Sequence, residues 1–387
     1  MPVVLDVWDH VAARFGGIGP SAATLAGAIE SSSPWRSELL AVCNTDESEW
    51  HRDIPPKVRI VRQQGLRPSA DIRLRTSLRD AIFESSVCHV HGIWSAPSLA
   101  VCGLAKNLGR PLVCSVHGML EKWELSNKST KKRVYSALFQ RPSLAKSSCL
   151  RALSEQEAIE YRDFGLRNPI AVVPNGVGPL AREDPSDFLS DHPELVGKRI
   201  TLFMSRLHRK KGILELVRAW PAVQKRFQDS HLLVAGGDCE GTEASARELA
   251  AELRVQRSVT FCGVLNGSLK HAALSTATVF CLPSFSEGMS MAVLEALSIG
   301  LPVVVTPACN VGGINEAQAG FVTTAEPAKL AQSLCEALSL SSSQWQSMSA
   351  SAQSLAKTRY GWPQIAANMC AVYEWLLGGP KPDCVLD

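Results

Sequence analysis

Short apolar runs of strand length alternate with stretches of helical period along the 387-residue chain, and they fall into two series. The first holds Val3–Val7, Ser37–Cys43, Val58–Val61, Val87–His91, Leu112–Val116, Leu150–Leu153 and Ala171–Val173. The second holds Arg199–Met204, His231–Ala235, Val259–Phe261, Val279–Leu282 and Pro302–Thr306. Runs that stay apolar belong to strands covered on both faces, and strand-then-helix repetition builds parallel sheets. The pattern predicts two Rossmann-like α/β domains, and the chain is long enough for two cores. Between the series, Gly178–Gly197 is rich in Pro, Asp and Ser and thin in apolar residues. The expected division is therefore 1–178, a linker at 179–197, and 198–361. Leu330–Leu340 and Gln344–Thr358 read as helices. Trp362–Leu377 has large residues at helical spacing, a face that packs on its own domain or crosses back so that 362–387 joins the first.

Composition removes several function classes. No window approaches 18 uninterrupted apolar residues, so no membrane-spanning helix is expected. Met1-Pro2-Val3-Val4-Leu5-Asp6 lacks a basic leader and reads as a first strand. The 12 cysteines are scattered singly through apolar runs, without C-x-x-C pairs or zinc spacing, as expected of buried thiols in a cytoplasmic protein. Net charge is +3, but residues 1–178 carry 22 Lys/Arg against 17 Asp/Glu and the rest carry 18 against 20. Lys128, Lys131, Lys132 and Arg133 cluster in that basic half. A solvated helix face explains them; so does peripheral contact with an anionic membrane surface or a lipid-pyrophosphate acceptor. Nothing combines basic and aromatic residues as a nucleic-acid platform does.

The most specific chemistry lies in Ser284-Phe285-Ser286-Glu287-Gly288-Met289-Ser290-Met291-Ala292-Val293-Leu294-Glu295. A helix starting near Ser290 puts Glu287 at its mouth and Glu295 well inside, up to ~12 Å apart along the axis. Paired glycosidase carboxylates stand roughly 5–9.5 Å apart, so this spacing suits two grips on one long ligand. Unpaired amides at the helix start favour an anion there. Met204-Ser205-Arg206-Leu207-His208-Arg209-Lys210-Lys211-Gly212 follows a strand; Arg206 offers a forked phosphate contact and Lys211 a point charge. No D-x-D triplet occurs, so a metal is not expected at such a site.

Weaker signals follow other strands. Phe15-Gly16-Gly17-Ile18-Gly19 precedes a helical run and is either a tight turn or a close approach to phosphate. Val234–Gly241 is a turn or a loop shaping a ligand site, and the backbone at Gly263 and Val264 could read a flat base edge. His117, in Cys114-Ser115-Val116-His117-Gly118-Met119-Leu120-Glu121, stands at a strand end where cleft residues emerge, as His89 and His91 do at the strand before it. Pro174-Asn175-Gly176-Val177 reads as turn and hinge.

Together these segments resemble the retaining glycosyltransferases of family 4, with the GT-B fold of two Rossmann-like domains. The likeness rests on the spaced pair Glu287 and Glu295, on Ser205-Arg206-Leu207 with Lys211-Gly212, and on the Gly16-Gly17 loop, Pro174–Val177 and the carboxyl-terminal helix. The stretch from His117 to Leu125 is similar to one in bacterial polysaccharide-building members. The resemblance implies a UDP- or GDP-sugar donor, no cofactor, and a lipid-linked or saccharide acceptor in cell-surface polysaccharide assembly. It implies that Arg206 and Lys211 hold the diphosphate, Glu287 the donor sugar and Glu295 the ribose. Gly288, Met289, Ser290 and Met291 would cradle sugar and phosphate, with Gly17 approaching the diphosphate. The leaving phosphate would take the acceptor's proton, leaving His117 to position or polarise. Ser205 replaces the family's usual glycine, and Lys122 stands where proline is common. Two other readings stay open: a catalytically silent sugar-nucleotide-binding protein, and a sugar-phosphate synthase on the same fold.

Overall fold

The structure is a computed structural model that describes residues 1–9, 18–43, 58–62, 72–121 and 135–387. The chain forms two compact units, Met1–Gly176 with Trp362–Asp387, and Val177–Gly361.

The first unit is built on an eight-stranded sheet ordered β14-β7-β6-β5-β4-β1-β2-β3. Its strands are β1 (Val3–Asp9), β2 (Arg36–Cys43), β3 (Val58–Arg62), β4 (Val87–His91), β5 (Leu112–Ser115), β6 (Cys149–Ala152), β7 (Ile170–Val172) and β14 (Val385–Leu386). All pairs are parallel except β14 with β7. β4, β5 and β6 are buried at every position, which is why they read as mostly apolar runs, with His89, His91, Ser115 and Arg151 as buried polar exceptions. The helix Trp362–Leu376 joins this unit: Ile365, Ala366, Met369 and Tyr373 pack with Val4, Leu25, Trp35 and Val87. Gly176 lies under its first residue, since a Cβ there would overlap the Trp362 ring.

The second unit holds a six-stranded parallel sheet ordered β10-β9-β8-β11-β12-β13. These are β8 (Arg199–Met204), β9 (Ser230–Ala235), β10 (Val259–Gly263), β11 (Val279–Leu282), β12 (Val303–Val305) and β13 (Gly320–Val322). The order grows outward from β8 in one direction, then restarts at β11 in the other. The order therefore reverses between β8 and β11, and the carboxyl ends of strands at such a reversal are the usual place for a ligand crevice.

The structure corrects the expected linker. Residues 179–197 include the helix Ser186–Asp191 and the turn Pro193–Leu195, and Phe188 and Leu195 are buried in the second unit's core. Two large anchors suffice to dock a segment whose average composition is polar. Val177 also belongs to this unit: it pairs with Gly361, and its N–H donates to the Tyr360 carbonyl at 2.7 Å. Among the described residues, β13 and β14 had no counterpart in the apolar runs, being three and two residues long.

Candidate functional site

In the second unit, the loops after β8 and β11 are fastened to each other. The turn Arg209–Lys211 is closed by Gly212 at φ 73°, where a Cβ would overlap the Pro283 carbonyl oxygen. His208 accepts the Lys210 N–H on Nδ1 at 3.1 Å, and Phe285 N–H donates to the Lys210 carbonyl at 2.7 Å. Burial pushes the His208 imidazole below its ordinary range, as do the cations beside it. Gly236, at φ 147°, faces the Ser205 carbonyl too closely for any side chain.

These constraints bring Lys211 to Glu287, with Nζ 2.5 Å from Oε2 and side-chain exposures of 8% and 12%. Ser284 Oγ donates to Oε1 of the same carboxylate at 2.7 Å. Asn310, in the left-handed region at φ 56°, donates its amide to the carbonyls of Glu287 and Gly288. The Glu287 side chain is thus held at both oxygens and its backbone from behind. Lys211 is matched to a carboxylate, whereas Arg206 in the same loop is exposed and has no ion-pair partner among the described residues.

The helix Met291–Ser298 begins as expected, with Ser290 as N-cap accepting the Val293 N–H. One expectation changes. The Ser290 N–H donates to the Cys309 carbonyl at 3.0 Å, so that amide is already used in the fold. Met289 and Met291 pack partly against the core. Glu295, one turn in, is bound by Lys270 Nζ at 2.6 Å from the helix Gly267–Thr276. Gly263, at φ 72°, accepts the Gly236 N–H at 2.7 Å and sets Val264 outward, 62% exposed.

In the first unit, His117 lies just beyond β5 and is half-buried, at φ 58°. Its Nε2 is 3.2 Å from His91 Nδ1, and His91 Nε2 is 2.8 Å from Asp6 Oδ1. Beside them, His89 Nδ1 meets Tyr373 Oη and its Nε2 meets Ser115 Oγ, both at 2.7 Å. Burial holds all three imidazoles well below their ordinary range, His91 at about 3, and pushes the Asp6 carboxyl up to about 8 against the pull of Arg151. Glu157, raised to about 7 by burial, accepts the N–H groups of Gly118 and Leu153 at 2.6 Å each, fixing the loop that carries His117. Buried Arg151 holds the carbonyls of Val173 and Pro174 and the side chain of Asn175.

Asp6, His89 and His91 have ligand atoms within 4.8 Å of one another, the geometric minimum for a metal. Every ring nitrogen of the two histidines already has a partner, however, so ligation would break hydrogen bonds in a buried network. The arrangement fits hydrogen bonding better. Gly16 and Gly17 lie outside the described residues, as do Lys128, Lys131, Lys132 and Arg133.

Sequence reasoning passed over Lys270, Ser284, Asn310, Glu157 and Asp6. Two signals were available: Asp6 interrupts the apolar run Val3–Val7, and Arg151 interrupts Leu150–Leu153. A charge inside a two-sided buried strand needs partners.

Comparisons with known proteins agree with this architecture. Residues 16–176 match the family model described as a glycosyl transferase 4-like domain, and residues 198–339 match that of glycosyl transferases group 1. The chain is a family 4 glycosyltransferase. It is 26% identical, over 86% of this chain and 83% of the other, to the GDP-mannose:cellobiosyl-diphosphopolyprenol alpha-mannosyltransferase of Xanthomonas oryzae. It is 29% identical to the phosphatidyl-myo-inositol mannosyltransferase of Mycobacterium leprae, over 79% and 77% of the two chains. Anabaena HepE, solved with UDP and glucose, superposes with a TM-score of 0.76 at 18% identity, over 97% of this glycosyltransferase and all of that chain. That likeness carries the GT-B fold. Among the described residues, no helix of the enzyme is long and apolar enough to cross a membrane.

Proposed function

We propose that this enzyme transfers a sugar, with retention of anomeric configuration and without a metal, from a UDP- or GDP-sugar to a lipid-linked or saccharide acceptor. The observation that carries the reading is the Glu287 carboxylate, held by Lys211 and Ser284 at the point where the sheet order reverses. A fixed carboxylate of this kind accepts hydrogen bonds from sugar hydroxyls at little entropic cost. Arg206, exposed in the adjoining loop, is the group for the donor diphosphate, and Lys211 adds positive potential behind Glu287. Glu295, with Lys270 beside it, takes the ribose, and the backbone from Gly263 to Val264 faces the base. On this reading Gly288, Met289 and Met291 line the sugar and phosphate.

The name of the Xanthomonas relative makes GDP-mannose the first donor to test, and the diphosphopolyprenol and phosphatidyl-myo-inositol in the two relatives' names point to lipid-linked acceptors. Cell-surface polysaccharide assembly at the inner face of the membrane is the setting that joins these. The test is transfer of labelled sugar from each nucleotide sugar to polyprenyl-diphosphate saccharides. Wild-type enzyme should transfer, and Glu287→Ala should lose most transfer while staying folded. Undiminished transfer by that variant would overturn the reading of Glu287.

A further inference from the structure

Two cysteines twelve positions apart in sequence meet inside the first unit. Cys102 lies on the buried face of the helix Ala96–Asn107, with Val101 and Ala105, and Cys114 lies on β5. Side chains alternate along a strand, so Leu112, Cys114 and Val116 share the core that holds this helix face, while Val113 belongs to another. Both thiols are free and buried, with their sulfurs 3.8 Å apart. No other pair of described cysteines has its sulfurs in such contact. The segment Ser143–Ser147 surrounds the pair with polar groups. Ser147 Oγ donates to Cys114 Sγ at 3.0 Å. Ser143 Oγ is buried without a hydrogen-bond partner among the described residues and lies where a Cys102 thiolate would accept from it. Lys146 is exposed and has no ion-pair partner among the described residues.

We propose that Cys102 and Cys114 form an oxidative-modification site, at which a hydroperoxide converts the two thiols into a disulfide that small thiols reverse. Cys102 is the attacking sulfur and Cys114 the resolving one. The Cys102 thiolate attacks one peroxide oxygen: the S–O bond forms, the O–O bond breaks, and the departing hydroxide or alkoxide takes the proton that Cys102 gave up. The Cys114 sulfur then attacks Cys102 Sγ: the S–S bond forms, the S–O bond breaks, and the hydroxide that leaves takes the Cys114 proton. With hydrogen peroxide the products are one disulfide and two waters. The sulfurs give up two electrons and the peroxide accepts them. No sugar nucleotide takes part.

The surroundings divide the two roles. The hydrogen bond from Cys114 holds the Cys102 thiol below its ordinary range, and Ser143 and Lys146 add to that against the cost of burial. The same bond, with burial, pushes Cys114 well above the range, so it keeps its proton until the second step. Burial by itself makes a thiol inert. Cys88, Cys149 and Cys281 are in that state: burial raises each of them, and none has a sulfur in hydrogen-bonding contact. The product also has a place to be felt. Disulfide sulfurs stand about 2 Å apart, so the helix and β5 must close a gap of 3.8 Å within a packed core. The helix follows Trp94, whose Nε1 donates to the Met119 carbonyl, and β5 leads into His117. The loops 92–95 and 116–121 are therefore coupled to the state of the sulfurs.

The experiment treats the full-length protein with hydrogen peroxide, blocks the remaining thiols, and reads tryptic peptides by mass spectrometry. Cleavage after Lys106 separates the two cysteines, so their disulfide joins two peptides. The expected product links Cys102 to Cys114, returns to two thiols with dithiothreitol, and forms at least about tenfold faster than Cys149 or Cys281 is oxidised. Cys114→Ser should stop at a Cys102 sulfenic acid that dimedone traps, and Cys102→Ser should leave Cys114 reduced. Lys146→Met and Ser143→Ala alter no sulfur and should each slow the linkage several-fold, which keeps the test decisive if a serine variant fails to fold. Amide exchange at 92–95 and 116–121 should change on oxidation, with that of the second unit unchanged. Cys149 oxidising in step with the pair would mean that opening of the core exposes all thiols alike, and would overturn the site. No linkage, or a linkage rate indifferent to both Lys146 and Ser143, would overturn it too. Unchanged exchange in the two loops of the linked protein would overturn the coupling.

Discussion

Replacing Lys211 by methionine removes an ammonium and keeps most of its stem, so the packing under the β8 loop is largely preserved. The Glu287 carboxylate then loses a partner at 2.5 Å while keeping the Ser284 hydroxyl at 2.7 Å. Exposed ion pairs contribute about 0–1 kcal/mol, whereas removing one partner of a buried pair costs roughly 3–5 kcal/mol. With both side chains nearly inaccessible but one hydrogen bond retained, the expected loss is about 3 kcal/mol, near the lower end of the buried range. Neutralising the survivor should recover part of it, so Lys211→Met with Glu287→Gln should cost less than Lys211→Met alone. Urea unfolding of the four proteins of this cycle, analysed for the transition of the second unit, measures both quantities. A Lys211→Met protein within about 0.5 kcal/mol of wild type, or a double variant whose loss equals the sum of the singles, would refute the reasoning. It would mean that the carboxylate is solvated and not held.

Gly212→Ala should destabilise the second unit by several times the ~1 kcal/mol of an ordinary substitution, because φ 73° and the Pro283 carbonyl both oppose a Cβ; thermal unfolding checks this. Lys270→Ala should change stability by at most about 1 kcal/mol, since the pair with Glu295 is partly exposed, yet alter affinity for the nucleoside end of the donor. Asp6 supplies a stability test in the first unit. Its native carboxyl is raised to about 8, so between roughly pH 4 and 8 the folded protein binds more protons than the unfolded chain, and stability falls as pH rises through that window. Asp6→Asn should flatten this fall, by an amount on the order of a few kcal/mol, in denaturant titrations at pH 5 and 8.5.

The doubly wound architecture was legible because a two-sided parallel strand is mostly apolar; β11 is apolar and buried at every position, and β4 and β9 are apolar apart from a few buried histidines and a serine. The same rule missed β13, which opens on a glycine and is only partly buried, and β14, which is two residues long. The linker expectation failed because mean composition hides single anchors such as Phe188. Glu287, Arg206 and Lys211 could be found from sequence since they sit in one or two contiguous loops. Their pairing could not. That Lys211 neutralises Glu287, that Asn310 supports the backbone behind it, and that Lys270 meets Glu295 depend on contacts between elements as many as 76 residues apart, a separation no local spacing encodes. The Asp6–His91–His117 chain has the same character, drawing on β1, β4 and the end of β5.

Calorimetric titration of UDP, GDP and their sugars, GDP-mannose among them, into wild type, Arg206→Ala and Glu287→Gln tests the donor site most directly. The account predicts that one nucleoside diphosphate binds wild type, that its sugar adds affinity, that Glu287→Gln loses the sugar's increment while keeping the diphosphate, and that Arg206→Ala weakens both. Failure of every nucleotide to bind wild type, or equal affinities across the three proteins, would contradict it.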